Sequence, residues 1–166
     1  MDSGTAALPI YSGSVFRQKE ASIVKVDAGQ ETADANISIP LGRLHEISGS
    51  ILAKDSHSIN SGQVELLDPD TREQVAGAWA GDEGAFHLLH VPEGSYILKV
   101  TDARDIGQME VHYTPDHKTA TTNIPTLRTY GNLEQPFTVQ TDVQSLLLTV
   151  PDKPSTTSAA NSTGTN

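Results

Sequence analysis

Hydrophobic and polar residues alternate along most of this chain in short stretches. Gly, Pro, Asp and Asn clusters separate the stretches every 8–12 residues, and none has the 3.6-residue period of an amphipathic helix. The pattern predicts an all-β fold, an antiparallel Greek-key β-sandwich of about seven strands. The clearest predicted strands are residues 46–53, 63–67, 75–80, 96–100, 136–139 and 143–150.

One turn-and-strand motif in the middle of the chain carries most of the fold signal. Residues 82–84 predict a three-residue hairpin loop with its glycine in the left-handed conformation, and an aromatic residue then begins the return strand. A Pro-Glu-Gly corner follows and leads into a strand of alternating apolar residues. A glycine inside strand 46–53 predicts a bulge or a close backbone approach. The residues that define this fold motif are Gly49, Asp82, Gly84, Phe86, Pro92, Gly94 and Tyr96.

The organisation along the chain predicts one complete module with flanking pieces. Residues 1–8 and the Ser/Thr-rich tail at 152–166 are expected to be disordered. The complete sandwich spans residues 41–151 and includes an irregular insertion at about 103–135. Residues 9–40 are either the closing strands of a preceding β-module or edge strands of the main one.

A weak internal repeat favours the first of these two possibilities. Predicted strands at 23–26 and 35–39 resemble 137–139 and 146–150, with a turn between the two strands in each case. The separation in sequence between Val26 and Val139 is nearly the same as that between Pro40 and Pro151. The simplest interpretation is a tandem array that opens with the last two strands of one module.

The fold motif resembles the carboxypeptidase regulatory-like domain family. The resemblance rests on residues 47–51, 62–66, 82–86 and 91–100, and it covers roughly residues 45–102. It implies a transthyretin-like (prealbumin-like) sandwich, close in fold to starch-binding-like modules. It also implies the C-terminal part of a multi-module exported protein of the kind common in soil bacteria such as Acidobacteria. Such domains serve as accessory, spacer or ligand-contact modules, so neighbouring modules and surface proteins are the expected partners, and a non-enzymatic role is expected.

Composition narrows the possible partners further. The 166 residues carry a net charge of −10, which disfavours nucleic acid because a phosphate backbone must be met by clustered Lys and Arg. No apolar run approaches the ~20 residues that cross a bilayer, so membrane insertion is not expected. The chain has no cysteine and starts without a secretion signal. The resemblance therefore predicts an extracytoplasmic protein whose signal sequence lies outside this chain.

The sequence contains one serious candidate for a binding site. Neither a catalytic nor a metal-binding motif is found, so no catalytic residue, cofactor or metal is predicted. His87 and His90 would point to opposite faces of a strand unless a bulge intervenes, and Lys54 and Asn132 are too weakly placed to argue an isopeptide cross-link. Carbohydrate binding needs an exposed aromatic platform. The candidate platform residues are Trp79, Tyr113 and Tyr130, with Trp79 the best placed although a packing role is more common for a lone Trp.

Overall fold

A computed structural model describes residues 8–33, 35–113 and 119–153 of the chain. Over these residues the fold is all-β, as predicted, with three single-turn 3-10 helices at Gln18–Glu20, Leu41–Arg43 and Asp82–Gly84. The described part contains ten strands rather than about seven. They are β1 (Leu44–Leu52), β2 (Ser61–Leu67), β3 (Gln74–Ala80), β4 (Ala85–Pro92), β5 (Gly94–Ile106), β6 (Glu110–Tyr113), β7 (Ala120–Asn123), β8 (Thr126–Thr129), β9 (Leu133–Val139) and β10 (Val143–Thr149).

Two sheets enclose the core. The first has the order β10-β1-β4, and the second has the order β3-β2-β5, with β9 and β8 both pairing along the long strand β5. Strands β6 and β7 form a separate two-stranded sheet. The chain passes between the two main sheets after β1, β3, β4 and β9. Most pairs are antiparallel, but β1 and β10 run parallel, which the prediction of an antiparallel sandwich did not include.

Alternation along the strands explains why these residues form the core. In β2 and β5 every second side chain points inward, and Val64, Leu66, Leu98 and Val100 are fully buried. Each such side chain contributes about 1.5–3 kcal/mol when it leaves water. The first sheet supplies the opposing layer, whose fully buried members are Ile47, Ile51, Leu88, Val91 and Leu148.

Gly49 brings the backbones of β1 and β10 close together. The parallel register shifts between Ile47 and Gly49, so the predicted irregularity in this strand is confirmed. A Cβ atom at Gly49 would overlap the carbonyl oxygen of Leu146 and lie 2.8 Å from its carbonyl carbon. Glycine is therefore required at this position because there is no room for a side chain, and not because the backbone adopts a left-handed conformation.

The loop at Asp82–Gly84 has the predicted left-handed glycine but is not a hairpin. Gly84 has φ +71° and Glu83 has φ +58°. However, β3 belongs to the second sheet and β4 to the first, so the loop is a corner that carries the chain from one sheet to the other. The prediction of a hairpin was wrong because its signal describes a tight reversal and does not say which strand each arm pairs with.

The Pro92–Gly94 corner forms where it was predicted. Gly94 has φ +148°, and β5 starts at this residue. Tyr96 is buried, and its hydroxyl donates a hydrogen bond of 2.7 Å to the carbonyl oxygen of Pro92. The side chain of Tyr96 thus fastens the start of β5 to the end of β4.

The segment before β1 differs from its prediction. Residues 23–26 and 35–39 do not form strands, and their apolar side chains are exposed. An earlier part of the segment does contact the sandwich. Phe16 is buried, and the Arg17 guanidinium donates a hydrogen bond to the Ser95 carbonyl oxygen and lies 5.3 Å from the centre of the Tyr96 ring.

The stretch 103–135 is more regular than predicted. It contains the end of β5, the short strands β6 to β8 and the start of β9, and Ala103 and Tyr130 within it are buried. Residues 1–7 and 154–166, where terminal disorder was predicted, lie outside the described residues. Asp152, predicted to belong to the tail, accepts a hydrogen bond of 2.8 Å from Arg128.

Parallel pairing of β1 with β10 gives the sandwich two distinct ends. The chain enters β1 at Leu44, next to the turn after β2 and the corner after β4, and we call this end the proximal pole. It leaves β10 after Thr149 at the opposite end, the distal pole, where the Asp82–Gly84 corner lies. The path into the module and the path out of it are therefore separated by the length of the sheet.

Candidate functional site

Trp79 lies on the outer surface of the second sheet. Its neighbours Ala78 and Ala80 point into the core, so alternation turns the indole outward, where 59% of the residue is exposed. The expectation that a lone Trp packs inside the sandwich does not apply here. The structure therefore places the best platform candidate where a ligand can reach it.

Two polar side chains lie in line with Trp79 across the sheet. Gln63 of β2 is directly opposite Trp79, and Thr101 of β5 is directly opposite Gln63. Residues that are opposite each other share one face of a sheet, and neighbouring strands lie about 4.8 Å apart. An indole, an amide and a hydroxyl thus form a row about 10 Å long, which we call the Trp79 row.

A charged row runs beside the Trp79 row. Glu65 accepts a hydrogen bond of 3.3 Å from Gln63 and forms an ion pair of 3.6 Å with Lys99. Further along the sheet, Glu134 receives two hydrogen bonds from the Arg72 guanidinium, at 2.7 and 2.9 Å. The bidentate hydrogen bonding from Arg72 lowers the pKa of Glu134. These charges are paired with one another, so the Trp79 row is the neutral part of this face.

The other two platform candidates do not join Trp79. Tyr113 is 64% exposed, but it lies on β6 in the separate two-stranded sheet. Tyr130 is only 5% exposed and belongs to the core, so its prediction as a platform residue was wrong. Its position in a stretch without clear alternation gave no sign of burial.

Tyr130 instead takes part in a buried polar network at the distal pole. Its hydroxyl donates a hydrogen bond of 2.6 Å to Asp105, which is itself almost fully buried. His57 lies 3.3 Å from the second Asp105 oxygen, and the Arg128 guanidinium lies 4.8 Å from the centre of the Tyr130 ring. Burial and the neighbouring Asp105 carboxylate raise the pKa of Tyr130 to about 12.

Replacing Tyr130 by phenylalanine is expected to destabilise the protein by about 1–3 kcal/mol at neutral pH, because a buried acceptor loses its donor. The raised pKa of Tyr130 also makes the stability of the protein depend on pH. The protonated Tyr130 hydroxyl stabilises the folded protein fully below pH 10, the ordinary pKa of tyrosine. This stabilisation is lost as the pH rises towards about 12, the pKa of Tyr130 in the folded protein. Denaturant unfolding between pH 7 and 12 should therefore show a smaller alkaline loss of stability for Tyr130→Phe than for the wild type, because the raised pKa of the buried Tyr96 contributes to the loss in both. Tyr113→Phe, which alters an exposed tyrosine, is the control, and an equal alkaline loss in wild type and Tyr130→Phe would contradict this assignment.

A cleft of about 590 Å³ lies at the proximal pole between the segment before β1 and the turn after β2. Arg17 approaches Asp68 to 3.9 Å on its rim, and Lys19 pairs with Asp70. Partial burial opposes the ionisation of Asp68, but the backbone N–H groups of Asp70 and Thr71 and the nearby Arg17 outweigh it and lower its pKa. The rim charges are thus already paired. Sequence reasoning missed this cleft because its two walls are distant in the chain.

The five histidines that the structure describes do not assemble into a cluster. The bulge that sequence reasoning named as the exception does intervene, at Leu89 and His90, and it leaves both His87 and His90 exposed. His87 lies 3.3 Å from Glu46. Within residues 8–33, 35–113 and 119–153, no group of three or more His, Asp or Glu side chains is placed to hold a metal ion. Over the same residues, no helix has the length and apolar character to cross a membrane.

Comparison with known proteins gives only distant likenesses. No model of a protein family matches the chain, and no curated protein sequence matches it. A 9R-lipoxygenase from Cyanothece PCC8801 is similar in structure, with 17% identity and a TM-score of 0.39 over 75% of this chain. The chain spans 19% of that enzyme. A candidate carbohydrate-binding protein from Pseudomonas aeruginosa has 16% identity and a TM-score of 0.36 over 64% of this chain and 88% of its own. At these scores neither likeness bears on what this chain does.

Proposed function

We propose that the chain is a non-catalytic connecting module that spaces and joins the domains on either side of it. The observation that carries the proposal is the parallel pairing of β1 with β10. Adjacent parallel strands start at the same end, so the chain enters at the proximal pole and leaves at the distal pole. A module with this geometry extends a polypeptide by its own length, whereas antiparallel terminal strands would return the chain to its starting end.

Contacts at both poles support a connecting role. At the proximal pole the Glu93 backbone N–H donates to the Arg43 carbonyl oxygen, and the two side chains form an ion pair of 3.2 Å. At the distal pole the Gly131 N–H donates to the Pro151 carbonyl oxygen at 2.7 Å, and Arg128 binds Asp152. The chain is thus fastened immediately before β1 and immediately after β10, which fixes the directions in which it enters and leaves.

Spin-label distances test this geometry, since the chain has no cysteine of its own. Gly42→Cys paired with Lys153→Cys should give a narrow distribution centred at about 30 Å, the length of a strand such as β1. Gly42→Cys paired with Gln140→Cys, whose labels both lie at the proximal pole, should give a much shorter distance. Equal distances for the two pairs would overturn the proposal.

The resemblance to carboxypeptidase regulatory-like domains and their transthyretin-like fold agrees with this proposal. Modules of that kind operate outside the cytoplasm of bacteria beside functional domains of the same polypeptide. We propose on this basis that the protein works in the periplasm, at the outer membrane or outside the cell, with neighbouring modules or surface proteins as its partners.

A second candidate function, glycan binding, is favoured by one specific observation. The Trp79 row presents an aromatic plane, an amide and a hydroxyl on an open sheet face. Sugars stack their apolar faces on aromatic rings, and their hydroxyls hydrogen-bond to side chains such as Gln63 and Thr101. About 10 Å of sheet surface separates the ends of the row. A glycan would therefore lie across the strands rather than along them.

Trp79→Ala is expected to weaken glycan binding at least tenfold, or about 1.4 kcal/mol, because it removes the stacking plane. The melting temperature should stay within about 2 °C of wild type, since an exposed side chain contributes little to stability. A polysaccharide microarray followed by titration calorimetry with the best ligand provides the measurement. Tyr113→Ala is the matched control, as it removes an exposed aromatic on a different sheet. Absence of any glycan signal, or equal binding by Trp79→Ala, would exclude this function and leave the connecting role intact.

A further inference from the structure

Residues 23–40 present apolar side chains that this sandwich does not bury. Val24, Val26, Ile37 and Ile39 are between 44% and 60% exposed. They alternate with polar residues as in a strand, yet neither segment pairs with any strand among the described residues. Alternating apolar residues that are exposed together commonly mark a surface that another protein segment covers.

The internal repeat identifies what kind of structure would cover them. Val24 and Val26 correspond in the repeat to Phe137 and Val139 at the end of β9. The structure shows that Phe137 packs against the core and that Val139 is fully buried. The exposed valines thus occupy the positions that face inward in a complete sandwich.

The second segment follows the same rule. Ile37 and Ile39 correspond to Leu148 and Val150, and both of those residues are buried. Ser38, which lies between the isoleucines, corresponds to Thr149, which is exposed on β10. In both segments of both copies, one polar residue separates the two apolar ones.

The turn between the two segments also has a counterpart. Asp27 to Gln30 form a hydrogen-bonded turn, with a 2.9 Å bond from the Gln30 N–H to the Asp27 carbonyl oxygen. The corresponding turn between β9 and β10 carries the chain from the second sheet to the first. The repeat therefore extends over two segments with a strand pattern, the turn between them and the proline that follows the second segment.

We propose that residues 23–40 are the closing strand pair of a second, preceding sandwich of the same kind. In the complete module β9 pairs antiparallel with β5, and β10 pairs parallel with β1. Residues 23–26 would accordingly add beside a β5-like strand of the partner, and residues 35–39 beside its β1-like strand. The partner is thus a sandwich that lacks its own last two strands and receives them from this chain. This inference rests on the connecting function and deepens it, because the shared strands make the junction between modules part of a folded core.

The test supplies such an incomplete sandwich as a probe. A second copy of residues 44–132, which end before β9, is fused to the N-terminus of the full chain, and amide hydrogen exchange is measured across residues 23–40. In the unmodified chain the amides of residues 23–26 and 35–39 should exchange rapidly, because the structure pairs neither segment with a strand. In the fusion they should become protected at least 100-fold, as expected for amides in a stable strand.

Two variants make the outcome specific. In the fusion, Val26→Lys with Ile37→Lys should abolish the new protection without changing the melting of the downstream sandwich. In the unmodified chain the same pair should leave the melting temperature unchanged, whereas Val139→Lys should lower it strongly. Rapid exchange of residues 23–40 in the fusion would overturn the inference. So would a lower melting temperature of the unmodified chain with Val26→Lys and Ile37→Lys, since that would assign the segments to this sandwich. Either failure leaves the spin-label test of the connecting function unaffected.

Discussion

Replacing Gly84 by valine is expected to destabilise the protein by at least about 4 kcal/mol, among the largest effects of single substitutions. Two causes add at this position. The backbone has φ +71°, a conformation that costs an L-residue about 1–2 kcal/mol and a β-branched residue more. A Cβ atom would also lie 2.6 Å from the carbonyl oxygens of both Ile51 and Ile59, so the corner could not keep its close packing against β1.

Two further glycines serve as controls. Gly81 lies three residues earlier, has negative φ and has open space around its Cβ position, so Gly81→Ala should change stability by less than about 0.5 kcal/mol. Gly29 also has a positive φ of +81°, but it lies in an exposed segment that does not pair with the sandwich, so Gly29→Ala should leave the free energy of unfolding unchanged. Urea unfolding monitored by circular dichroism measures all three variants. A Gly84→Val protein as stable as Gly81→Ala would show that the corner is not formed as described.

Replacing Gly49 by alanine is expected to destabilise the protein by about 3 kcal/mol or more, although alanine is the smallest substitution available. The added methyl group would overlap the Leu146 carbonyl oxygen, so β1 and β10 could not keep their parallel hydrogen bonds. Backbone atoms cannot move aside as a flexible side chain can, which makes the clash costly. The melting temperature should fall by about 6–12 °C for a chain of this size.

Gly42→Ala is the matched control for Gly49→Ala. Gly42 lies just before β1, and the space around its Cβ position is open. This variant should melt within about 1 °C of wild type. Similar melting of Gly49→Ala and wild type would mean that β10 does not pair with β1 as closely as the structure shows.

Local sequence signals predicted the strands well because strand alternation is itself local. The core residues of β2 and β5 alternate with polar ones, so Leu66, Leu98 and Val100 could be assigned to the interior before any partner was known. The special glycines were also predictable: a glycine inside a strand indicated the close approach at Gly49, and a turn sequence indicated the left-handed Gly84.

Pairing partners could not be predicted in the same way, because they depend on residues far apart in the chain. The Asp82–Gly84 turn looks like a hairpin in sequence, and only the assignment of β3 and β4 to different sheets shows it to be a corner. The parallel pairing of β1 with β10 joins opposite ends of the module's sequence, so it left no local signal. Residues 23–26 and 35–39 carry a genuine strand pattern, but among the described residues they have no strand to pair with.

In the candidate site, too, some features could be predicted from the local sequence and others depend on strand pairing. That Trp79 was the best platform candidate followed from composition, but its exposure depended on which face of β3 meets the core. Gln63 and Thr101 could not be assigned to the same row, since their alignment with Trp79 depends on the register of three strands. Tyr130 is buried and hydrogen-bonded to Asp105 of β5, a partner 25 residues away in the sequence that no local pattern indicates.

The connecting role is tested most directly by pulling the molecule apart from its two poles. With handles at Gly42→Cys and Lys153→Cys, force pulls β1 and β10 in opposite directions along their length, so their hydrogen bonds must break together. With handles at Gly42→Cys and Gln140→Cys, both at the proximal pole, the strands separate one hydrogen bond at a time. Forced unfolding reports the rate of unfolding under load. The proposed connecting module should therefore unfold at a clearly higher force when pulled between its poles, and an equal or lower force in that direction would contradict the proposal.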